Sequence, residues 1–409
     1  MKITIHRGRN QIGGSVIEIA TEKTKIILDV GLNLDEETQA ELPIVNGLFD
    51  GEKGFDAIFI SHYHADHVGL LDKVIHEIPV YMGEKAYNIL SASNDYRRIK
   101  TTFRPEFIED KCVTEIGDIS ITPYRCDHSA YDSYMFLIQA DGKSVLYTGD
   151  FRANGRWNDQ RLLESIPSVD ALIIEGTNLS RKESRENIEE TLLEDIAVKA
   201  LSKHTGPCFV FMSAMNIDRL VTMYNVAQEA GRVFLEDIYT ALIGDASGVE
   251  VPNPKRDKGI RVFVTDGNKE RYAKLNTFGK AKIGRDAIAK QSYVMCVRPS
   301  MINYLKKLNE LQSFEDGILF YGMWKGYQDK DDVKQLISFM IEKGVKIHTL
   351  HTSGHADSNT IDRLINAVKP SVILPVHTEN AMWFDKYKND IKIIYDIKDV
   401  SLHLNVSKL

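Results

Sequence analysis

The chain has 409 residues, 43% of them hydrophobic and 27% charged, a globular composition long enough for two to three domains and one that excludes a disordered, collagenous or disulfide-stapled architecture. Four cysteines (Cys112, Cys126, Cys208, Cys296) stand far apart with no CxxC pair, as expected of buried thiols in a reducing compartment, and no apolar run approaches the ~20 residues of a membrane span, so the chain reads as soluble and cytoplasmic. The net charge of −7 argues against a polyanion partner, yet Lys255 to Lys290 holds eleven basic and four acidic residues, which leaves that segment at +7 and the remainder at −14.

In chain order, short β-branched runs predict strands at Ser15 to Ala20, Lys25 to Val30, Phe55 to Ile60, Ile119 to Pro123, Tyr134 to Gln139, Ser144 to Tyr147 and Ala171 to Ile174. Asp141-Gly142 marks a tight hairpin turn, and Gly142-Lys143-Ser144, lying between two strands, is not a phosphate loop. From about Arg185 a helix is expected, with Ile188, Leu192, Leu193, Ile196 and Ala197 on its buried face and Glu186, Glu189, Glu190 and Glu194 elsewhere. Further strands follow at Cys208 to Met212, Arg232 to Leu235, Ile260 to Val264, Tyr293 to Val297 and Gly317 to Tyr321, then at Lys346 to Leu350, Val372 to Val376 and Ile391 to Tyr395. Strands alternating with helices predict α/β layers throughout.

The segment Ser61-His62-Tyr63-His64-Ala65-Asp66-His67 follows an apolar run and precedes an amphipathic stretch, Leu70 to Ile78. Three imidazoles and a carboxylate on one strand-to-helix loop converge on a small volume, which is the chemistry of a site for zinc or a similar transition ion. Three more such residues stand at predicted strand ends: His128 in Cys126-Asp127-His128, Asp150 in Thr148-Gly149-Asp150, and His377 in Pro375-Val376-His377.

The HxHxDH pattern after a strand resembles the metallo-β-lactamase superfamily. The resemblance implies an α/β fold, an αββα sandwich with two divalent metal ions at one edge. By the family pattern His62, His64 and His128 hold one ion, Asp66, His67 and His377 the other, and Asp150 bridges them. Zinc is the expected metal, and the same ligands accept manganese or iron.

Between Asp150 and His377 lie 227 residues, enough for a whole inserted domain that contains the basic segment. This is similar to the β-CASP branch, the nucleases that include ribonuclease J, whose cap domain leaves a cleft for single-stranded RNA or DNA. Its acidic motif resembles Leu172-Ile173-Ile174-Glu175-Gly176-Thr177, followed by Arg181 and Arg185-Glu186. Its second motif resembles His351-Thr352-Ser353-Gly354-His355-Ala356. The implied division is a sandwich of residues 1–179 and 351–409 with an α/β cap of residues 180–350. With 32 residues after His377, the extra C-terminal domain of ribonuclease J is not expected. Phe211 to Arg219 is similar to the cap segment near the 5′-phosphate pocket of ribonuclease J without reproducing it, so the direction of cleavage stays open.

The resemblance implies a metal-dependent ribonuclease of RNA processing or decay. Asp66 orients the nucleophile or takes its proton, His355 is the acid for the leaving 3′ oxygen, Glu175 orients His355, and His351, Ser353 and His355 cradle the phosphate. Two alternatives stand beside it: a hydrolase of a small-molecule ester, thioester or phosphodiester with the insert as a lid, and a catalytically dead scaffold. His6, His76, His204, His348 and His403 match no motif.

Overall fold

A computed structural model of the chain describes residues 1–34, 41–159, 161–180, 186–265, 269–396 and 398–402. Arg181, Arg185 and His403, singled out in the sequence, lie outside these. The chain divides into two compact units, one of residues 1–94, 98–187 and 354–409 and the other of residues 95–97 and 188–353. The sequence expectation placed the seams at 179/180 and 350/351.

The first unit holds two seven-stranded sheets. In one, Val16–Ala20 pairs antiparallel with Lys2–Arg7 on one side and Lys25–Leu28 on the other, and Ala57–Phe59, Val80–Gly83 and Glu106–Ile108 continue in parallel. In the other, Ile119–Cys126, Ser133–Ala140 and Lys143–Tyr147 run antiparallel, then Ala171–Ile174 and Val372–Pro375 add in parallel. Their facing side chains, Ile5, Ile17, Leu28 and Phe59 from one and Ile121, Phe136, Val145 and Ile173 from the other, form one buried core. Full burial of each such side chain contributes roughly 1.5–3 kcal/mol. The outer face of the second sheet is covered by Ser358–Val368, whose Ile361, Leu364, Ile365 and Val368 pack on Leu137, Leu146 and Leu172. Asp141 and Gly142 both take positive φ (52° and 64°), the turn chemistry expected of that dipeptide.

Three local expectations change. The strand predicted to stop at Pro123 runs on to Cys126, because the neighbouring strand Thr114–Ile116 pairs only as far as Ile121 and asks no N–H of Pro123. The amphipathic stretch Leu70 to Ile78 is not a long helix. The helical turn is Ala65–Val68, with a short 3₁₀ turn at Leu71–Lys73. It ends early because its carbonyls are taken from elsewhere: Asp66 O accepts from Ser15 N (3.1 Å), and His67 O from Val30 N (2.8 Å). Finally, Cys112 is exposed, whereas the other three thiols are buried and all four are free.

The second unit is a six-stranded, all-parallel sheet in the order 260–263, 233–237, 293–297, 208–211, 318–321, 346–349. Cys208–Phe211, Tyr293–Val297 and Ile318–Tyr321 are buried along their whole length, as central parallel strands flanked by helices are. The helix expected from Arg185 spans Glu190–Leu201 and buries Leu193, Ala197 and Leu201, while Ile188, Leu192 and Ile196 are exposed. Glu190, assigned to the solvent side, is fully buried. Arg219 Nε and Nη2 donate to its two carboxylate oxygens (2.5 and 3.1 Å), and Thr222 Oγ1 donates as well (3.1 Å). That pairing selects which of two adjacent helical stripes faces inward.

Candidate metal centre

The site lies where strands of the first unit end. Ala57–Phe59 delivers Ser61 and His62, and the one-turn helix Ala65–Val68 presents Asp66 and His67. Lys143–Tyr147, Ala171–Ile174 and Val372–Pro375 are parallel neighbours, so Asp150, Glu175 and His377 emerge side by side from one edge. His377 sits at φ +50°, a conformation L residues rarely adopt, and is pinned there by its N–H to Gly8 O (2.7 Å). Gly31 lies under the motif helix: a Cβ there would stand 1.7 Å from Asp66 O, so only glycine lets the two loops touch.

Two sets of ligand atoms result, His62/His64/His128 and Asp66/His67/Asp150/His377, each within 4.8 Å. His128 Nε2 stands 3.2 Å from His64 Nδ1. Asp150 Oδ2 lies 3.8 Å from His62 Nε2, 3.2 Å from His67 Nε2 and 3.6 Å from His377 Nε2, between the two sets. Asp66 Oδ2 is 3.1 Å from His377 Nε2. A third set joins Asp150 and His377 to Glu175 and His355. His355 Nδ1 lies 3.1 Å from Glu175 Oε2 and 3.5 Å from Asp150 Oδ2.

Electrostatics favour cation binding. Burial, reinforced by neighbouring imidazoles, holds His62 and His128 well below the usual histidine range, and burial pushes His64 down to about 4. These rings are neutral, with lone pairs free to ligate. Burial opposes charge on His67 too, but Asp150, Asp29 and Asp66 outweigh it and hold its pKa well above the ordinary value. The Asp150 carboxyl is likewise held low by His377, His67 and His355 against the cost of its burial. His62 Nε2, His67 Nε2 and both Asp150 oxygens are buried and make no hydrogen bond among the described residues. Orphaned buried polar atoms are rare in native proteins, and four of them facing one another fit a bound divalent cation.

An outer ring of partners was not found from sequence. Asp29 Oδ2 faces His67 Nδ1 (2.7 Å) and accepts from Tyr147 Oη (2.6 Å) and Ser61 Oγ (2.8 Å), and its other oxygen accepts from Ser61 N (2.7 Å). Thr177 Oγ1 meets His377 Nδ1 at 2.8 Å, and His128 Nδ1 meets Gly354 O. Such contacts fix which ring nitrogen points inward. The available signal was an acid ending an apolar strand, the context that marked Asp150. Glu175 is fully buried and accepts from Phe151 N (3.1 Å) and Thr177 N (3.2 Å) besides facing His355. Asn178 and Asn187 both donate to His355 O (2.9 and 2.8 Å). His351 and Ser353 belong to the second unit, where His351 Nδ1 stands 3.1 Å from Gly322 O.

Residues 24–223 match the model of a beta-lactamase superfamily domain, and residues 340–393 that of a Zn-dependent metallo-hydrolase RNA specificity domain. The chain is 25% identical to an RNase J-like protein of Methanocaldococcus jannaschii, over 92% of each. It is 24% identical to ribonuclease J of Mycoplasma genitalium, over 93% of this chain and 68% of that one. The chain belongs to the metallo-β-lactamase superfamily, in its ribonuclease J-like β-CASP branch. A crystal structure of a protein of unknown function from Enterococcus faecalis V583 shares the fold, with a TM-score of 0.80 at 21% identity over 98% of this chain and 99% of that one. As a member of this superfamily the chain is a metal-dependent hydrolase. No helix among the described residues is long and apolar enough to cross a membrane.

Proposed function

We propose that this protein hydrolyses phosphodiester bonds of single-stranded RNA with two divalent metal ions, zinc in the native enzyme. His62, His64 and His128 would hold one ion and Asp66, His67 and His377 the other, with Asp150 within reach of both sets. The observation that carries this reading is the pair of ligand sets meeting at Asp150, whose two buried oxygens make no hydrogen bond among the described residues. When bound, the ions supply hydroxide at neutral pH and neutralise charge developing on the phosphoryl oxygens.

The chain's own residues do the rest. Asp66 accepts the nucleophile's proton. Glu175 accepts from His355 Nδ1–H, which leaves Nε2 to give a proton to the departing 3′ oxygen. His355 suits that exchange, because its side chain keeps 21% of its surface exposed while Glu175 is wholly buried. His351 and Ser353 hold the substrate phosphate.

The test is cleavage of a short single-stranded RNA, bearing either a 5′-monophosphate or a 5′-hydroxyl, by zinc-loaded wild type and by His355→Ala. Metal-dependent cutting that His355→Ala slows by about 10²- to 10⁴-fold is expected. The 5′-end preference and the product ladder report direction. A protein shown to hold two metal ions that cleaves neither RNA overturns the reading in favour of a small-molecule hydrolase.

A further inference from the structure

The basic segment is not absorbed by the metal centre: it belongs entirely to the second unit. Part of its charge is spent internally, since Lys255 pairs with Asp245 and Lys274 with Asp95, both at 2.5 Å. Of the other nine basic residues, Lys282 and Arg285 line a cavity of about 560 Å³ beside the end of the edge strand Ile260–Phe263, joined there by Lys307 from beyond the segment. Lys282, Arg285 and Lys307 line it against one carboxylate among the described residues, Asp286. No ion pair of these three cations is found among the described residues, and Lys282 donates only to the neutral Asn276 Oδ1 (2.8 Å).

Two tyrosines share the wall. Tyr304 is buried, stacked on Phe263 (ring centroids 5.2 Å apart), with the Arg285 guanidinium 5.8 Å above its ring, so Arg285 is held in place rather than swinging freely. Tyr272 is 46% exposed. Unpaired cations beside an open aromatic face are what a single nucleic-acid strand uses: phosphates meet the charges, and a base stacks on the ring. A small anion is less well served, because Lys282 and Lys307 are exposed and no described residue closes over them.

We propose that this cavity is a second contact for single-stranded RNA, built within the cap unit, where Lys282, Arg285 and Lys307 take backbone phosphates and Tyr272 stacks a base. It rests on the ribonuclease reading only for the identity of the polyanion.

The experiment measures binding of a long single-stranded RNA across a salt series, with zinc-loaded protein carrying His355→Ala so that the strand survives. Each phosphate contact on a single strand contributes about 0.7 to the slope of log affinity against log salt, so Lys282→Gln/Arg285→Gln/Lys307→Gln lowers that slope by about 2. The exposed pair Lys282→Gln/Lys307→Gln, which leaves the Arg285–Tyr304 contact intact, lowers it by about 1.4 and guards against misfolding of the triple variant. Tyr272→Ala weakens binding roughly fivefold or more with the slope unchanged. A charge-matched control in the first unit, Lys23→Gln/Lys53→Gln, leaves the slope as it was. An unchanged slope in both lysine variants, or an equal loss in the control, overturns the proposal, as does an equal displacement of RNA by inorganic phosphate at matched ionic strength. Binding is read apart from cleavage, so a wild type that binds through this cavity and cuts nothing refutes the ribonuclease reading and leaves the contact standing.

Discussion

Asp29 has the greatest reach of any residue outside the ligand set. It stands 2.7 Å from one ring nitrogen of His67, and the other nitrogen faces Asp150. Asp29→Asn keeps the shape and loses the charge, so the His67 ring is held less firmly and is less basic toward a cation. Zinc affinity is expected to fall by roughly 10- to 100-fold, measured by competition with a chromophoric chelator, while the zinc-free protein keeps its circular dichroism. Affinity equal to wild type would show that Tyr147 and Ser61 orient the ring unaided. The contrast with the ligands explains what sequence made legible. His62, His64, Asp66 and His67 announce themselves by crowding into six residues, and His128, Asp150 and His377 by ending strands. Asp29 is 38 residues from its imidazole, a distance only the packing of two loops removes.

Among the elements, the strand Val233–Asp237 carries a group at odds with its surroundings. Glu236 is fully buried, neither oxygen makes a hydrogen bond among the described residues, and burial raises its pKa from 4.5 to about 8. The unfolded chain ionises this carboxyl near 4.5 and the folded chain only near 8. Folding therefore binds a proton across that window, and stability falls as pH rises through it, by up to about 1.4 kcal/mol per unit. Glu236→Gln should match wild type near pH 4.5 and exceed it at pH 8, read as hydrogen exchange of the six-stranded sheet. A wild-type profile as flat as that of Glu236→Gln would show that water or a shifted side chain solvates the carboxylate. Strands of this sheet were legible because central parallel strands are continuous apolar runs. Glu106–Ile108, Thr114–Ile116 and Asp399–Ser401 were not, since such short edge strands borrow their conformation from the partner they pair with. Helix existence was readable, but facing was not: Ile188, Leu192 and Ile196 make as good a stripe as Leu193, Ala197 and Leu201, and a buried Glu190–Arg219 pair decides between them.

At the scale of the molecule, all nine residues of the metal-ligand and acid–base cluster lie in the first unit. Chelation should thus act on one unit alone. Removing a bound divalent metal would leave buried imidazoles and carboxylates without a counterpart, so hydrogen exchange is expected to accelerate in the strands Ala57–Phe59, Lys143–Tyr147 and Val372–Pro375 and to stay unchanged in the sheet of the second unit. Acceleration throughout would mean that the two units unfold as one. Charge is divided as unevenly as chemistry: a net −7 conceals the +7 segment, which is why composition alone pointed away from a polyanion and the local count pointed toward one.

The first unit is assembled from three stretches of chain, and its last ligand, His377, follows the entire second unit. Val372–Pro375 must also take its place between Ala171–Ile174 and Lys392–Ile393 before His377 is presented. During synthesis, then, every residue of the second unit is made before the cluster can be closed, and a nascent chain cannot complete its own reactive centre while that unit is still being made.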